Sequence, residues 1–196
     1  LSQVLECCRA NHISLKPSKC AIGYSELPAL GFVYSARGSQ PDPKKVETIV
    51  AMAQPRNASE VATFMGMVSF YRSHLPMLAQ HEAILRETAR SGEPFKWGEK
   101  EDEAFAAIKR CVAQRTMLTA YRLDKPLVLM VDASRRGFGG VLLQAGEPLH
   151  FLSRMVRKAE ASYPALYLEM TALVWAVRKL RYYLVGRSFT VVTDHQ

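Results

Sequence analysis

Leu127-Val128-Leu129-Met130-Val131 is an unbroken apolar run that ends on a carboxylate, Asp132. A continuous apolar run of this length predicts a strand that is buried on both faces of a sheet. An acid just past such a strand lies near the carboxyl edge, where open α/β sheets keep their sites. Residues 189–193 repeat this design and end on Asp194. The two stretches therefore predict an α/β fold with carboxylates at two strand ends.

The segments between these two runs predict the order of the elements. Residues 138–144 have the pattern of a glycine-rich strand, residues 149–152 have the pattern of a third strand, and short turns separate them. Strands joined by short turns are typical of an antiparallel meander. Residues 165–184 predict a helix, and a strand from Ser188 completes a β-β-β-α-β order. The last strand then pairs parallel to the first through a right-handed crossover.

Three acids fall at the ends of three separate elements of this order. Asp132 and Asp194 follow strands, and Glu169 lies in the first turns of the predicted helix. Converging carboxylate oxygens suit hard divalent cations such as Mg2+. We therefore predict that these three residues bind metal. Taken singly, each acid has an ordinary alternative role. Asp132 could be a turn aspartate, Glu169 a first-turn acid that favours the helix dipole, and Asp194 a strand-end acid.

The charge of the chain is positive and unevenly distributed. The whole chain carries a net charge of +8, and residues 125–196 hold ten Lys and Arg against five Asp and Glu. Three of those five acids are the predicted metal ligands. The rest of this segment is strongly basic, which favours a polyanionic partner. A soluble domain with a basic surface is the alternative.

Length and composition limit the class of protein. The 196 residues are 48% apolar, which suits one large or two small domains with a sizeable core. No apolar stretch reaches the length of a membrane span, about 18 residues, and no signal peptide is recognisable, so we expect an intracellular protein without a membrane partner. The four cysteines form no C-x-x-C pair, which argues against a zinc site. Because the first residue is Leu, we expect a fragment of a longer protein.

Residues 1–123 have the patterns of a helix within residues 1–15, a short β segment and then further helices. Residues 20–22 predict a short strand, and residues 29–34 predict a strand that enters a hairpin. Asp42-Pro43 opens a helix with Asp as the N-cap, and Asn57-Ala58-Ser59-Glu60 resembles a capping box. The acidic run at residues 99–103 predicts a helix start, with a metal-binding cluster as the alternative.

Short motifs follow one another along nearly the whole chain. In the second half they are Val131-Asp132-Ala133-Ser134, Gly137-x-Gly139-Gly140-Val141-Leu142-x-Gln144, Ser153-Arg154, Glu160-x-x-Tyr163, Leu168-Glu169-x-x-Ala172-Leu173-Val174-x-Ala176 and Thr193-Asp194-His195. In the first half they are Leu30-Gly31-Phe32, Asp42-Pro43-x-Lys45-Val46, Phe64-x-Gly66, Phe70-Tyr71-Arg72, Phe95-x-Trp97 and Ala104-Phe105. This ordered set strongly resembles the reverse transcriptase and RNase H region of gypsy-class long-terminal-repeat retroelements.

The resemblance implies a domain organisation and an activity. Residues 1–40 are similar to the end of a reverse-transcriptase palm, with a hairpin that holds the primer end. Residues 41–123 are similar to the helical thumb and its linker, and residues 124–196 to an RNase H-like domain that is truncated at its C-terminus. The implied enzyme copies RNA into DNA and cuts the RNA strand of RNA–DNA hybrids.

The resemblance also implies a site and its partners. Asp132, Glu169 and Asp194 match three catalytic carboxylates of the family, which hold two Mg2+ ions, with Mn2+ as a substitute. The implied partners are RNA–DNA hybrid, template–primer duplex and the remainder of a Pol polyprotein, with a palm upstream and an integrase downstream. The implied location is a cytoplasmic particle or the nucleus.

Several basic and aromatic residues are candidates for contact with nucleic acid. The basic candidates are Lys44, Lys45, Arg72, Arg178, Lys179 and Arg181. They suit phosphate contacts, with solvated helix faces as the alternative. The aromatic candidates, Trp97, Tyr163 and Trp175, suit base stacking, with core packing as the alternative. His195 suits a phosphate contact or an ordinary surface position.

Two departures from the family pattern lead to a second functional hypothesis. The chain contains no Asp-Asp pair, which the family's polymerase site requires, and it stops before a fourth RNase H carboxylate. We therefore expect no polymerase site in this segment and an incomplete nuclease site. The alternative function is a domesticated or decayed, catalytically inactive module that binds nucleic acid, and a weaker third hypothesis is a structural subunit.

Overall fold

Two hydrophobic cores organise the chain. The structure is a computed structural model that describes residues 1–90 and 94–193. Residues between 46 and 112 form one core, and residues between 127 and 184 form the other. We call the parts built on these cores the first unit and the second unit. Within the described ranges, no helix is long and apolar enough to cross a membrane.

The first unit combines a small antiparallel sheet with helices. Its strands β1 to β4 lie side by side in that order and are Glu26–Ala29, Phe32–Ser35, Gly38–Pro41 and Leu118–Thr119. The helices of this part of the chain are α1 (Ser2–Ala10), α2 (Pro43–Val50), α3 (Ala58–Phe70), α4 (Leu78–Thr88) and α5 (Glu99–Ala113). Short 3-10 helices span Pro17–Lys19 and Arg72–His74.

Two strand predictions in the first unit need correction. The strand predicted at residues 20–22 is wrong, because these exposed residues follow a 3-10 helix and belong to no strand of the described sheets. The strand predicted at residues 29–34 is divided by a turn at Leu30-Gly31, where both residues have positive φ. The hairpin itself is present between β2 and β3, although β1 adds a further strand beside it.

The helix starts confirm the predicted caps. The Asp42 side chain accepts a hydrogen bond from the backbone N–H of Lys44 at 3.0 Å. Asn57 accepts one from the N–H of Glu60 at 2.9 Å. The Glu60 carboxylate reaches one residue further back than a standard capping box and accepts from the N–H of Arg56 at 2.8 Å. These bonds satisfy backbone donors that the first helical turn leaves without partners.

An aromatic cluster ties the hairpin of the first unit to its helices. The ring of Phe32 stacks on Phe70 at 5.2 Å and on His74 at 4.9 Å between ring centroids. The Tyr71 hydroxyl donates a hydrogen bond to the carbonyl of Gly31 at 3.1 Å. Burial lowers the pKa of His74 to about 4, so this histidine is neutral at physiological pH.

The second unit is a four-stranded sheet with one long helix. Its elements are β5 (Leu127–Ala133), β6 (Gly137–Gln144), β7 (Glu147–Met155), α6 (Ala165–Lys179), α7 (Arg181–Leu184) and β8 (Phe189–Val192). The spatial order is β7-β6-β5-β8, with β8 parallel to β5 and the other pairs antiparallel. This arrangement confirms the predicted β-β-β-α-β order. The predicted single helix is divided at Leu180, and β7 extends beyond the predicted third strand.

Helix α6 covers one face of this sheet. Leu127, Leu129 and Val131 of β5 are buried on that face and share a core with Leu168 of α6. Met130 points to the opposite face and is 41% exposed. The prediction that β5 is buried on both faces is therefore wrong. We call the second face of this sheet the open face. The open face is also apolar, so the run contains no polar residue at the positions that point toward it.

Two neighbouring glycines of β6 differ in the space around them. A Cβ atom added at Gly140 would lie 2.8 Å from the carbonyl oxygen of Met130, whereas one added at Gly139 would have no atom within 4 Å. We expect Gly140→Ala to lower the free energy of unfolding by about 1–3 kcal/mol, because the strands must shift to relieve the clash. Gly139→Ala is the matched control, with an expected change below about 0.5 kcal/mol. Equal urea-unfolding curves for the two variants would contradict this packing.

Candidate functional site

Asp132 lies at the carboxyl end of β5 on the open face of the sheet. Its side chain is exposed, and its partner across the ladder is Gly139. Because Gly139 has no side chain, the neighbouring strand leaves free space beside the carboxylate. Asp132 is thus a carboxylate that a bulky ligand can approach.

Asp132 also lines a pocket on the open face. The pocket has a volume of about 420 Å³, and its walls come from all four strands of the second unit and from Pro76 and Met77 of the first. Asp132 is the charged side chain among the described residues that line it. Val192 and Thr193 also contribute, so the pocket reaches the end of β8. The pocket therefore joins the ends of the two strands that the sequence predicts to carry ligands.

Glu169 lies on α6, in its second turn, and is half-buried beside the core residue Leu168. Strands β5 and β7 run in the same direction, because each is antiparallel to β6. The chain leaves β7 at the edge where β5 ends and then enters α6. The topology thus places the start of α6 toward the same edge as Asp132, although α6 covers the face opposite the open face.

The third predicted ligand, Asp194, lies outside the described residues, as does His195. Within residues 1–90 and 94–193, no three His, Cys, Asp or Glu side chains form a group that would hold a metal ion. Convergence of the three carboxylates therefore stays a prediction. Asp132 and Glu169 supply oxygen donors of the type that Mg2+ prefers, so the chemistry of the described residues fits that ion.

The acidic run at residues 99–103 forms the start of α5, which agrees with the helix-start interpretation. The Glu101 carboxylate accepts a hydrogen bond from the N–H of Gly98 at 2.9 Å. Asp102 accepts one from the indole N–H of Trp97 at 2.7 Å. These contacts give both carboxylates a role at the start of the helix. The Trp97 ring packs edge-on against Phe105 at 5.9 Å, which favours core packing over base stacking.

Arg72, a predicted phosphate contact, forms hydrogen bonds with other residues of the protein. Its Nη2 donates to both carboxylate oxygens of Glu82 at 2.8 and 2.7 Å, and its Nη1 donates to the carbonyl of Ser153 at 3.2 Å. Glu82 is 2% exposed, so the carboxylate of this ion pair is buried. Because both terminal nitrogens have partners within the fold, we remove Arg72 from the proposed nucleic-acid surface.

The other basic candidates are exposed and lie in two places. Lys44 and Lys45 are in the first turn of α2, and Arg178, Lys179 and Arg181 lie at or just after the end of α6. Nine residues separate Glu169 from Arg178, which corresponds to about 14 Å along a helix. The basic end of α6 therefore lies toward the opposite edge of the sheet from the start of α6.

Two motif residues whose role the sequence left open are structural. The Arg154 guanidinium lies over the ring of Phe138 at 4.2 Å and over Trp175 at 5.3 Å. It also donates to both carboxylate oxygens of Glu160, at 2.7 and 2.9 Å. These hydrogen bonds lower the pKa of Glu160. The pair holds the segment between β7 and α6 against the sheet, and the ring of Trp175 belongs to that packing.

The chain matches known sequences over most of its length. Residues 97–191 match a family described as an RNase H-like domain found in reverse transcriptase. The Pol polyprotein of transposon 297 from Drosophila melanogaster is 32% identical over 186 residues, which cover 94% of this chain and 18% of that protein. The Pol polyprotein of transposon gypsy, from the same fly, is 28% identical, with 100% and 20% covered. The chain thus spans about a fifth or less of these relatives.

Solved structures with the same fold come from foamy viral protease-reverse transcriptase. The structure in complex with RNA/DNA hybrid has a TM-score of 0.80 at 18% identity and covers 100% of this chain and 28% of that chain. The structure in complex with dsDNA has a TM-score of 0.76 at 19% identity, with 91% and 38% covered. These likenesses confirm the mixed α/β fold.

Proposed function

We propose, from the homology of this chain to the Pol polyproteins of gypsy-class long-terminal-repeat retroelements and from its RNase H-like domain, that its second unit cuts the RNA strand of RNA–DNA hybrids. The observation that carries the proposal is the placement of Asp132. This carboxylate lies at the carboxyl end of a central strand and is exposed on the open face beside a residue without a side chain. A phosphodiester backbone can approach it there.

The proposed roles follow from the chemistry of the three acids. Asp132, Glu169 and Asp194 would hold divalent cations, Mg2+ or Mn2+, through their carboxylate oxygens. When bound, two such ions supply an attacking hydroxide and stabilise the leaving 3′ oxygen. Negative charges held close together repel one another in the absence of a cation. A bound cation would offset this repulsion.

The first unit would contact the duplex that the parent enzyme copies. We propose that the β2–β3 hairpin holds the primer end and that α3 follows the template–primer duplex, as their similarity to palm and thumb elements implies. The solved relatives in complex with dsDNA and with RNA/DNA hybrid support a duplex partner. The remainder of the Pol polyprotein, including a polymerase palm and an integrase, would complete the machinery in an intracellular particle or the nucleus.

Cleavage of a defined hybrid by the parent protein tests this function. The substrate is an RNA–DNA hybrid with a label on the RNA, and double-stranded DNA of the same sequence is the control. We expect shortened RNA, intact DNA strands and loss of cleavage when EDTA removes the cations. Intact RNA in the presence of Mg2+ and Mn2+, together with hybrid binding, would favour the inactive nucleic-acid-binding module instead.

Binding should depend steeply on salt, because the proposed contacts are to phosphates. We expect the affinity for hybrid to fall as salt rises, independently of sequence. Replacing Lys44 and Lys45 with Ala should weaken binding uniformly and reduce the slope of log affinity against log salt by roughly one for each lost phosphate contact. Lys19→Ala, an exposed lysine in a 3-10 helix outside the proposed surface, is the matched control. An affinity that does not change with salt would contradict the proposal.

A further inference from the structure

We propose that Ser153 and Arg72 are positioning residues that fix the second unit on the first and thereby set where along the hybrid the RNA is cut. This inference rests on the proposed nuclease function. It concerns a different property, the position of the cut rather than its chemistry. The contacts that carry it lie between α4, the Arg72–His74 segment and strand β7.

Ser153 makes two contacts across the boundary between the units. Its hydroxyl accepts a hydrogen bond from the backbone N–H of Ala79 at 2.7 Å, and its carbonyl accepts one from Nη1 of Arg72 at 3.2 Å. Ser153 is 5% exposed. Because a buried polar group that loses its hydrogen-bond partner destabilises the fold, sliding of β7 along α4 is unfavourable.

Arg72 itself is held rigidly on the first unit. Two hydrogen bonds join it to the buried carboxylate of Glu82, and Arg86 donates a further hydrogen bond to the same carboxylate at 2.6 Å. Both bonds to Glu82 come from Nη2, and charge-assisted hydrogen bonds of this kind hold that nitrogen at the carboxylate. The Arg72 guanidinium that donates to Ser153 is therefore held in place on the first unit and is not a mobile side chain.

The sheet connects this contact directly to the proposed catalytic carboxylate. Ser153 pairs with Gly139, and Gly139 pairs with Asp132, so the three residues form one row across β7, β6 and β5. Neighbouring strands lie about 4.8 Å apart, so the row spans about 10 Å. A displacement of Ser153 relative to the first unit displaces Asp132 by the same amount, because the ladder keeps the register.

A further contact at the other end of β6 joins the second unit to the segment between β4 and β5. The buried Gln144 side chain accepts a hydrogen bond from the N–H of Arg122 at 2.8 Å and donates one to its carbonyl at 2.9 Å. Gln144 lies five residues beyond Gly139, about 17 Å along a strand. These two bonds order the segment that links the units and so shorten the part of the linker that could act as a hinge.

Mapping of cleavage positions by the parent protein tests the inference. The substrate is a labelled RNA paired with a DNA whose 3′ end is recessed, so that the first unit has a defined end to bind. We expect the wild type to cut at a narrow set of distances from that end. Ser153→Ala and Arg72→Lys should broaden or shift the set by one or more nucleotides, with total cleavage reduced by less than about tenfold. Glu160→Gln weakens the second unit internally and should lower the rate without moving the cuts.

A distance measurement makes the test independent of catalysis. Spin labels at the exposed positions Thr48 and Tyr182, one on each unit, report the spread of inter-unit distances by pulsed electron paramagnetic resonance. We expect a narrow distribution in the wild type and in Glu160→Gln, and a broader one in Ser153→Ala and Arg72→Lys. Unchanged distributions and unchanged cut positions in both variants would overturn the positioning role. A wild type that cuts no RNA but shows the expected distance changes would overturn the nuclease function alone.

Discussion

Asp132→Asn should lower the rate of hybrid cleavage by the parent protein at least about a hundredfold while leaving the fold intact. A hundredfold loss corresponds to about 2.7 kcal/mol of transition-state stabilisation. That is the size expected if Asp132 is, as proposed, a ligand of catalytic cations and loses its charge. The side chain of Asp132 is exposed, and Asn has nearly the same shape, so the sheet keeps its packing. The DNA synthesis that we propose for a separate palm site of the parent protein should largely survive.

A matched control is available in the same region of the chain. Asp124 is an exposed acid in the linker that pairs with Arg122 at 3.4 Å, away from the row that contains Asp132. Asp124→Asn removes the same charge and should leave cleavage within about threefold of the wild type. The measurement is single-turnover cleavage of a labelled hybrid in Mg2+, with circular dichroism to check folding. Cleavage by Asp132→Asn at near wild-type rate would show that the assigned site is wrong.

Arg72→Met should lower the free energy of unfolding of the chain by about 3 kcal/mol. The substitution leaves the Glu82 carboxylate buried without the Arg72 guanidinium, and breaking one side of a buried pair costs about 3–5 kcal/mol. Because Arg86 also pairs with this carboxylate, we expect a loss of stability at the low end of that range. Urea unfolding of the chain measures the change.

The double variant Arg72→Met/Glu82→Leu separates this explanation from a simple loss of packing. Replacing both partners by apolar residues removes the buried carboxylate that Arg86 alone would have to neutralise, so most of the stability should return. Lys44→Met, an exposed lysine in the same unit, controls for the change of residue type and should stay within about 0.5 kcal/mol. A double variant as unstable as Arg72→Met would contradict the ion-pair account.

Local signals in the sequence were sufficient to predict most of the elements. The N-caps Asp42 and Asn57, the glycine-rich strand β6 and the β-β-β-α-β order are all confirmed, because each depends on residues close together in the chain. The parallel pairing of β5 and β8 was also predictable, since a crossover helix between two strands leaves few arrangements. The position of Asp132 at a strand end followed from the same pattern.

Interactions between distant segments account for what the sequence did not predict. Arg72 looked like a phosphate ligand on a helix, but its partners Glu82 and Ser153 come from two other elements. Similarly, Arg154 and Glu160 form a stacked ion pair whose aromatic surface is contributed by Phe138 and Trp175. Charge and motif alone do not distinguish a structural arginine from one that contacts nucleic acid. The burial of the carboxylate that pairs with the arginine distinguishes these two roles, and burial is a property of the folded chain.

The edge position of β8 has a consequence for association between copies of this chain. β8 pairs with β5 on one side, and on its other side the described sheet has no further strand. Residues 190–193 are exposed, consist of Val and Thr and carry no charge that would hinder pairing with another strand. Unprotected edges of this kind join with one another. The isolated segment should therefore self-associate through intermolecular β-pairing, detected as light scattering that rises with concentration and falls when Val191 is replaced by Lys.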